Sequence, residues 1–290
     1  MRLHSKTPRS VIYFLAGSLP GIALIHLRQM SLFGMITRLP GSILHKIAIN
    51  TFSGNIPRSS WFWQIRELCI KYTLPHPLDL LNSAPNKSDF KALVKKKIID
   101  LWEQLLRGEA SSLPSLGFLN PFFMSLQKPH HLWTTAGSSP AKVAKATVQA
   151  LMLSGRYRTE SLTKYWGPNK LGTCLMSTDC QNVSEDISHI IQFCPALTDI
   201  RKRLLEYTIA YASRLPNCVS AVLLTNCDLN SSNFVQFILD CSILPEVISL
   251  AQSLYNQHDV FSSFFEVTRT WIYTLHRERL KRLNRWGGHG

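Results

Sequence analysis

The chain has 290 residues, 45% hydrophobic and 10% aromatic, which is enough apolar side chain to fill folded cores and excludes a globally disordered protein. Its formal net charge of +14 indicates an anionic partner, for which nucleic acid is the commonest class and an acidic membrane surface the second. Seven scattered cysteines, an odd number, do not fit a disulfide framework and indicate a reducing compartment.

The first apolar stretch, residues 11–27, lies between Arg9 and Arg28 and has about the minimum length of a membrane span. Gly17 and Pro20 interrupt it, so a buried loop and helix are favoured over a signal or membrane segment, which stays the alternative. We therefore expect an intracellular protein of the nucleus or cytoplasm that is not secreted and does not depend on a membrane.

Helical spacing of apolar residues continues from Leu24 and predicts a helix that ends before Pro40, then a short helix from Ile43. The residues expected on the packed faces of these two helices are Leu24, Leu27, Leu32, Met35, Ile36, Ile43, Leu44, Ile47 and Ala48. Further helices are predicted from Trp61 and from an N-cap at Ser88, the latter with a lysine-rich side that a solvated face would also explain.

Residues 111–141 are rich in Ser, Pro and Gly and predict a linker. Ser139-Pro140 then begins a helix that stops at Gly155, and residues 198–216 and 260–286 form two more helices. Residues 217–250 are compatible with strand or helix. The fold class is mainly α, and the last helix has a dense basic face.

One stretch has the composition of a metal site. Cys174, Cys180, His189 and Cys194 follow one another as C-x5-C-x8-H-x4-C, and three cysteines with one histidine form a standard tetrahedral zinc set. Four protein ligands leave no open position, so zinc there would stabilise the fold rather than catalyse. The gap of five residues is longer than the usual two to four, which makes Cys180 the ligand least supported by spacing. Three buried thiols and a core histidine are the alternative.

Basic and aromatic residues lie on both sides of this stretch, and the last helix adds more cations. Arginine and lysine neutralise phosphates and aromatic rings stack on unpaired bases, so this pattern predicts contact with single-stranded RNA or DNA. Tyr157 and Trp166 as core residues are an equal alternative. The predicted contact residues are Arg156, Tyr157, Arg158, Lys164, Trp166, Lys170, Arg201, Lys202, Arg203, Arg277, Arg279, Lys281, Arg282 and Arg285.

The run LSGRYRTESLTKYW, followed by Cys174, Cys180, EDISHIIQFCPAL and an Arg-rich helix, resembles the carboxy-terminal part of reverse-transcriptase polyproteins from non-LTR (LINE-type) retrotransposons. In that family a Cys-Cys-His-Cys zinc knuckle follows the polymerase thumb and a helical linker. ALIHLRQMSLFGMITRLPGSILHKIA and SWFWQIRELCIKYTLPHPLDLL resemble the end of the thumb and the linker, and RTWIYTLHRERLKRLNRW resembles the terminal tail. The likeness touches most of the chain, but only the Cys-Cys-His-Cys block is a specific motif.

The resemblance implies zinc ligands at Cys174, Cys180, His189 and Cys194 and nucleic-acid contact near Arg156 and Arg158. It also implies four segments: a thumb-like remnant at 1–55, a helical linker at 56–138, a helix with the small zinc-knuckle domain at 139–215, and a basic helical tail at 216–290.

The chain contains no Asp-Asp pair to hold the magnesium ions of a polymerase palm, so by itself it is not expected to be an enzyme. The family activity is RNA-directed DNA polymerisation, and a fragment of such a polyprotein would bind without catalysing. A host-retained interaction or membrane-surface protein without catalytic activity is the alternative function.

Overall fold

The computed structural model describes residues 7–164, 171–180, 182–254 and 257–287. The prediction of a mainly α fold is confirmed, because helices account for most of the chain and no β-strand occurs among the described residues. The helices are α1 (Arg9–Ala16), α2 (Gly21–Thr37), α3 (Ile43–Ser53), α4 (Trp61–Lys71), α5 (Pro77–Asn82), α6 (Lys87–Ser111), α7 (His131–Thr134), α8 (Pro140–Leu153), α9 (Glu160–Thr163), α10 (Thr198–Ala212), α11 (Asn217–Asn226), α12 (Phe234–Asp240), α13 (Pro245–Ser253) and α14 (Gln257–Gly287).

The chain divides into two compact units that do not follow simple halves of the sequence. Unit 1 comprises Met1–Ala16, Ala110–Met124 and Pro129–Gly290, and unit 2 comprises Gly17–Glu109 and Ser125–Lys128. These units are defined by contacts. The four sequence-based segments, with boundaries after residues 55, 138 and 215, stay a prediction about functional organisation.

Unit 2 consists of α2 to α6 around one apolar core. Phe33 from α2, Ile65 from α4 and Ile98 from α6 are fully buried there. The hydroxyl of Tyr72 receives a hydrogen bond from Trp102 Nε1 at 3.2 Å and lies 2.6 Å from His26 Nδ1. These bonds satisfy the polar atoms that the aromatic side chains bring into the core.

The packed faces of α2 and α3 differ from the prediction. Their buried residues include Met30, Phe33 and Phe52, whereas the side chains expected inside are largely at the surface. The exposed set, called here the apolar surface of unit 2, is Ile22, Leu24, Ile25, Leu32, Met35, Leu39, Ile43, Leu44 and Ile47. Both faces of these helices are apolar, so periodicity could not distinguish the packed face from the uncovered one.

The long helix α14 is the centre of unit 1. Trp271, Ile272 and Leu275 are fully buried, and α14 packs against α8, α10, α12 and α13. Trp271 Nε1 donates a 2.9 Å hydrogen bond to Thr208 Oγ1 of α10. The amide of Gln149 on α8 donates to the backbone carbonyl of Leu239 at 2.8 Å. The segment 217–250, for which the sequence left strand or helix open, is helical.

Helix α8 begins and ends as its sequence predicts. The hydroxyl of Ser139 accepts a hydrogen bond from the backbone N–H of Lys142, and Pro140 occupies the first helical position. Gly155 follows the helix with φ +61°, and a Cβ there would lie 2.4 Å from the backbone oxygen of Ser115. Only glycine fits both the left-handed conformation and this close approach. Ser88, by contrast, lies inside α6, where Asn86 accepts its N–H.

No single described helix is both long and apolar enough to cross a membrane. Two bent helix pairs, Arg9–Ala16 with Gly21–Thr37 and Phe234–Ile243 with Pro245–Ser253, reach that length and composition only when each pair is taken together.

Candidate metal centre

The metal loop, residues 172–194 of unit 1, begins with two short backbone segments that run antiparallel. Thr173 and Ser184 form an isolated bridge. Cys174 N–H donates to Val183 O at 2.8 Å, and Glu185 N–H donates to Gly172 O at 3.1 Å. These bonds set the direction in which Cys174 enters the loop.

The long gap between the first two cysteines closes as a tight turn. Residues Thr178–Cys180 form a 3-10 turn, and Cys180 N–H donates to Ser177 O at 3.1 Å. The turn takes up the extra length and leaves Cys180 fully buried. Asp179 is exposed and its carboxylate accepts from Ser177, so it does not compete for the position of Cys180.

His189 and Cys194 are brought together by a π-helical turn at His189–Phe193, a form that recurs at functional sites. Cys194 N–H donates to His189 O at 2.7 Å, the five-residue step of this geometry. Asp186 Oδ1 accepts the N–H of His189 at 2.7 Å and fixes the start of the turn. One turn and its exit therefore bring both side chains to the same place.

Together these elements form a buried Cys3His cluster. The Sγ atom of Cys194 lies 3.9 Å from that of Cys174 and 3.8 Å from that of Cys180, and all four ligand atoms lie within 4.8 Å of one another. A tetrahedral site with metal–sulfur bonds of about 2.3 Å has sulfur–sulfur edges of about 3.8 Å. The cluster could therefore hold one metal ion with little rearrangement.

The protonation chemistry of the cluster also fits metal binding. His189 Nε2 is buried and has no hydrogen-bond partner, although buried polar atoms are nearly always satisfied. Burial lowers the pKa of His189, which favours the neutral imidazole that ligates metals. The hydrogen bond from the Cys174 thiol lowers the pKa of Cys194, and that same bond together with burial raises the pKa of Cys174. The thiol of Cys174 thus favours the thiolate form of Cys194.

Arg201 places a buried positive charge beside the cluster. Its Nη2 donates to Cys194 O at 2.5 Å and to Thr198 Oγ1 at 3.2 Å, and its Nη1 has no partner. Burial lowers the pKa of Arg201, while the charges of Cys194 and Cys180 oppose that shift. A divalent ion with three thiolates carries one negative charge, which this guanidinium would balance. Because Arg201 is only 4% exposed, its predicted contact with nucleic acid is not compatible with this structure.

A second buried network connects the metal loop to α14. Arg279 donates to Glu185 through Nε at 2.9 Å and through Nη2 at 2.7 Å, and its guanidinium lies 5.5 Å from the Tyr157 ring centroid. Glu185 also accepts the N–H of Glu160 at 2.7 Å. Burial disfavours the charge on Arg279, but the bond to Glu185 outweighs it and raises its pKa. Arg279 and Tyr157 therefore face the interior, which corrects their prediction as nucleic-acid contacts.

The other residues predicted to contact nucleic acid differ in how far their side chains are exposed. Arg158, Lys164, Lys202, Arg203, Arg277 and Lys281 are exposed, and Arg156 and Arg282 are half-buried. Arg282 pairs with Glu278 at 3.2 Å, as their four-residue spacing predicts. Trp166, Lys170 and the side chain of Arg285 lie outside the described residues. The exposed cations Lys202, Arg203, Arg277 and Lys281 are called here the basic surface. The sequence predicts contact for these four residues but not for Lys145 and Tyr273, which lie next to Arg203 and Arg277.

Comparison with known proteins adds no relative from which a function could be transferred. No family model matches the chain, and neither does any curated protein or solved structure. The candidate metal centre and the basic surface are therefore the basis for a functional argument.

Proposed function

We propose that the chain is a zinc-stabilised nucleic-acid-binding part of a LINE-type retrotransposon reverse-transcriptase polyprotein, without the polymerase palm. The observation that carries the metal half of this proposal is the unpartnered Nε2 of buried His189, in a cluster with three cysteine sulfurs. Zinc is the ion that best suits three thiolates and one imidazole in a closed tetrahedron.

A structural role for the metal follows from the number of ligands. Four protein side chains fill the tetrahedron, so no position remains for a water or a substrate. The loop itself has little regular backbone structure, and its bridge and short turns are marginal by themselves. The zinc ion would supply the free energy that orders the loop, as in other small zinc-binding domains.

The nucleic-acid half of the proposal is supported by the charge distribution and by the resemblance of the sequence. The chain carries a formal charge of +14, and exposed cations include Lys202, Arg203, Arg277 and Lys281 in the unit that contains the metal loop. Such a surface attracts phosphates through long-range electrostatics and counterion release.

The apolar surface of unit 2 favours a second role as an interaction module, in a host-retained protein or in the polyprotein. Many large apolar side chains of α2 and α3 are exposed, which is typical of a surface that another protein covers. Under the main proposal, this partner is the polymerase body of the same polyprotein.

Elemental analysis tests the metal directly. We expect about one zinc ion per purified chain, and loss of that ion in the Cys180→Ser variant. Cys218→Ser is the matched control because Cys218 is exposed and distant from the cluster in sequence, so it should retain the metal. A folded wild-type protein that contains no metal and takes up none would overturn the zinc proposal.

Binding of labelled single-stranded RNA and DNA across a range of salt concentrations tests the second half. We expect log affinity to fall linearly with log salt concentration for at least one of them. The absence of binding to either polymer by the zinc-loaded chain, with capture by anionic vesicles in a flotation assay, would favour the membrane-surface alternative.

A further inference from the structure

A basic groove lies in unit 1 between α8, α10 and α14. On α14, the residues that line this groove lie on a different side of the helix from Arg279, which faces the metal loop. The volume of the groove is about 490 Å³. The polar residues that line it and matter here are Lys145, Arg203, Tyr273, Arg277, Glu278 and Lys281.

Three separate helices direct positive charge into this groove. Lys145 comes from α8, Arg203 from α10, and Arg277 from α14. Within the described part of the chain, no carboxylate lies within ion-pair distance of these three residues. A concave surface with excess charge of one sign concentrates counter-ions more strongly than the same charges on a convex surface.

The single carboxylate of the lining does not neutralise the groove. Glu278 is 3.2 Å from Arg282 and 3.8 Å from Lys281, so its charge is already shared with cations of its own helix. Lys145 donates to Thr270 Oγ1 at 3.3 Å, a neutral partner that holds the ammonium group without removing its charge. The groove therefore retains a strong preference for an anion.

The arrangement along α14 fits an extended chain of anions better than one small ion. Tyr273, Arg277 and Lys281 are four residues apart, so they follow one line of the helix in steps of about 6 Å. Tyr273 is the only aromatic residue among those that line the groove, and it is half-buried. Cations in a row with an aromatic ring at one end are the features with which proteins bind single-stranded nucleic acid.

The groove is held in shape before any ligand binds. The bond from Trp271 to Thr208 ties α14 to α10, and the amide of Gln149 lies 3.4 Å from Thr268 Oγ1, which ties α8 to α14. Arg279, two residues after Arg277, is fixed by Glu185 of the metal loop. A preformed site of this kind loses little conformational entropy on binding.

We propose that this groove is the site at which the backbone of a single-stranded nucleic acid binds, with Arg203 and Arg277 contacting phosphates and Tyr273 stacking on a base. The proposal rests on the proposed nucleic-acid function and adds its location and polymer class. A flat membrane surface would engage exposed cations of the chain wherever they lie and would not depend on a recessed ring.

The test uses the zinc-loaded full chain and a fluorescein-labelled oligouridine of 20 nucleotides, with binding followed by anisotropy at several salt concentrations. The groove variant is Arg203→Ala with Arg277→Ala. The matched control is Arg9→Ala with Arg214→Ala, which removes the same charge from exposed residues of unit 1 that neither line the groove nor belong to the predicted contacts. Zinc content is measured for all proteins, and each variant should retain it.

We expect the groove variant to bind at least 10-fold more weakly and to lower the salt slope by about 1.4, the value for two lost phosphate contacts with a single strand. The control should change affinity less than about 3-fold, because distant charges are screened. Tyr273→Phe should bind like wild type and Tyr273→Leu several-fold more weakly, since only the ring is needed for stacking.

Equal weakening in the groove and control variants would overturn the groove while leaving nucleic-acid binding intact. No binding by the wild-type chain to oligouridine or to the corresponding DNA would overturn the proposed function itself, and the groove with it. Groove-dependent binding to phosphatidylserine vesicles without RNA or DNA binding would overturn the choice of polymer.

Discussion

The Cys3His cluster in unit 1 and the apolar surface of unit 2 could each bind a partner, but they suit partners of different kinds. In the cluster the backbone is hydrogen-bonded, the side chains are buried, and one imidazole nitrogen has no partner. On α2 and α3 the core is filled, but large side chains such as Ile43 and Leu44 remain in water. Side chains that ligate a metal require an ion at one defined position, whereas an exposed apolar surface can be covered by any apolar partner of suitable shape.

This difference predicts unequal responses of the two regions to loss of metal. Under the proposed zinc binding, a chelator should remove amide-exchange protection from the described residues of the metal loop, because zinc binding supplies folding free energy on the order of 10 kcal/mol in small zinc domains. The helices of unit 2 should keep their protection. Hydrogen exchange with and without chelator measures both regions in one experiment, and unchanged protection of the loop would contradict the role given to the metal.

The next largest effect concerns the ion pair that joins the metal loop to α14. Arg279→Met leaves the Glu185 carboxylate buried without its cation and should lower the free energy of unfolding by about 3–5 kcal/mol. Arg277→Met, on the exposed side of the same helix, should change it by less than about 0.5 kcal/mol. Urea unfolding compares the two.

A second substitution sharpens that result. Adding Glu185→Leu to Arg279→Met removes the stranded charge and should recover much of the lost stability. If Arg279→Met and Arg277→Met prove equally mild, the buried pair does not hold the loop to the helix.

Acid should weaken unit 1 through another buried pair. Burial opposes ionisation of Asp240, but the charge of His130, 3.2 Å away, and two hydrogen bonds from Ser242 outweigh it and lower the pKa of Asp240. A carboxyl with a lowered pKa contributes stability above its unfolded value near 3.8, and loses it as the pH falls through the folded value. Thermal unfolding of wild type should therefore depend more steeply on pH below about 4 than that of Asp240→Asn. Parallel curves would argue against this pair.

The smallest effect is expected at the apolar surface of unit 2. Ile43→Lys with Leu44→Lys should alter the free energy of unfolding by less than about 0.5 kcal/mol per site, yet reduce self-association and binding of an apolar dye. Ile65→Ala, in the buried core, should cost about 2–5 kcal/mol. Large destabilisation by the lysines would mean that these side chains are covered in solution.

The cluster could be predicted from the sequence because ligand type and order are local properties. Cys174, Cys180, His189 and Cys194 lie within 21 residues, and two short turns suffice to bring them together. The backbone form was not predictable, because a π-helical turn differs from an α-helical turn by one residue and has no sequence signature.

The burial of Arg279 and Arg201 could be predicted from their spacing to buried residues of the same helices, but not from the number of charges. Arg279 is four residues after Leu275 and eight after Trp271, so it continues the buried line of α14, while Arg277 continues the exposed one. Arg201 likewise lies four residues after Leu197 and three before Leu204 on the buried line of α10. Their positions on the helices therefore predict that both side chains are buried, although their charge alone predicts exposure. The partner of Arg279, the Glu185 carboxylate, lies 94 residues away in the sequence and could not be foreseen, whereas Arg201 donates to the Thr198 hydroxyl and the Cys194 carbonyl, three and seven residues before it.

The first and the last of the three gaps between the candidate ligands differ in how much change of length they tolerate over evolutionary time. The first contains buried Met176 but ends in the exposed turn at Thr178 and Asp179, so an inserted or deleted residue at that turn would alter the size of a surface turn. The last is locked by the bond between Cys194 N–H and His189 O and by the buried side chains of Ile190 and Ile191. A frame-preserving deletion of one codon between His189 and Cys194 would rotate one ligand away from the other. Related sequences that keep the cluster should thus vary in length before Cys180 and keep four residues between His189 and Cys194.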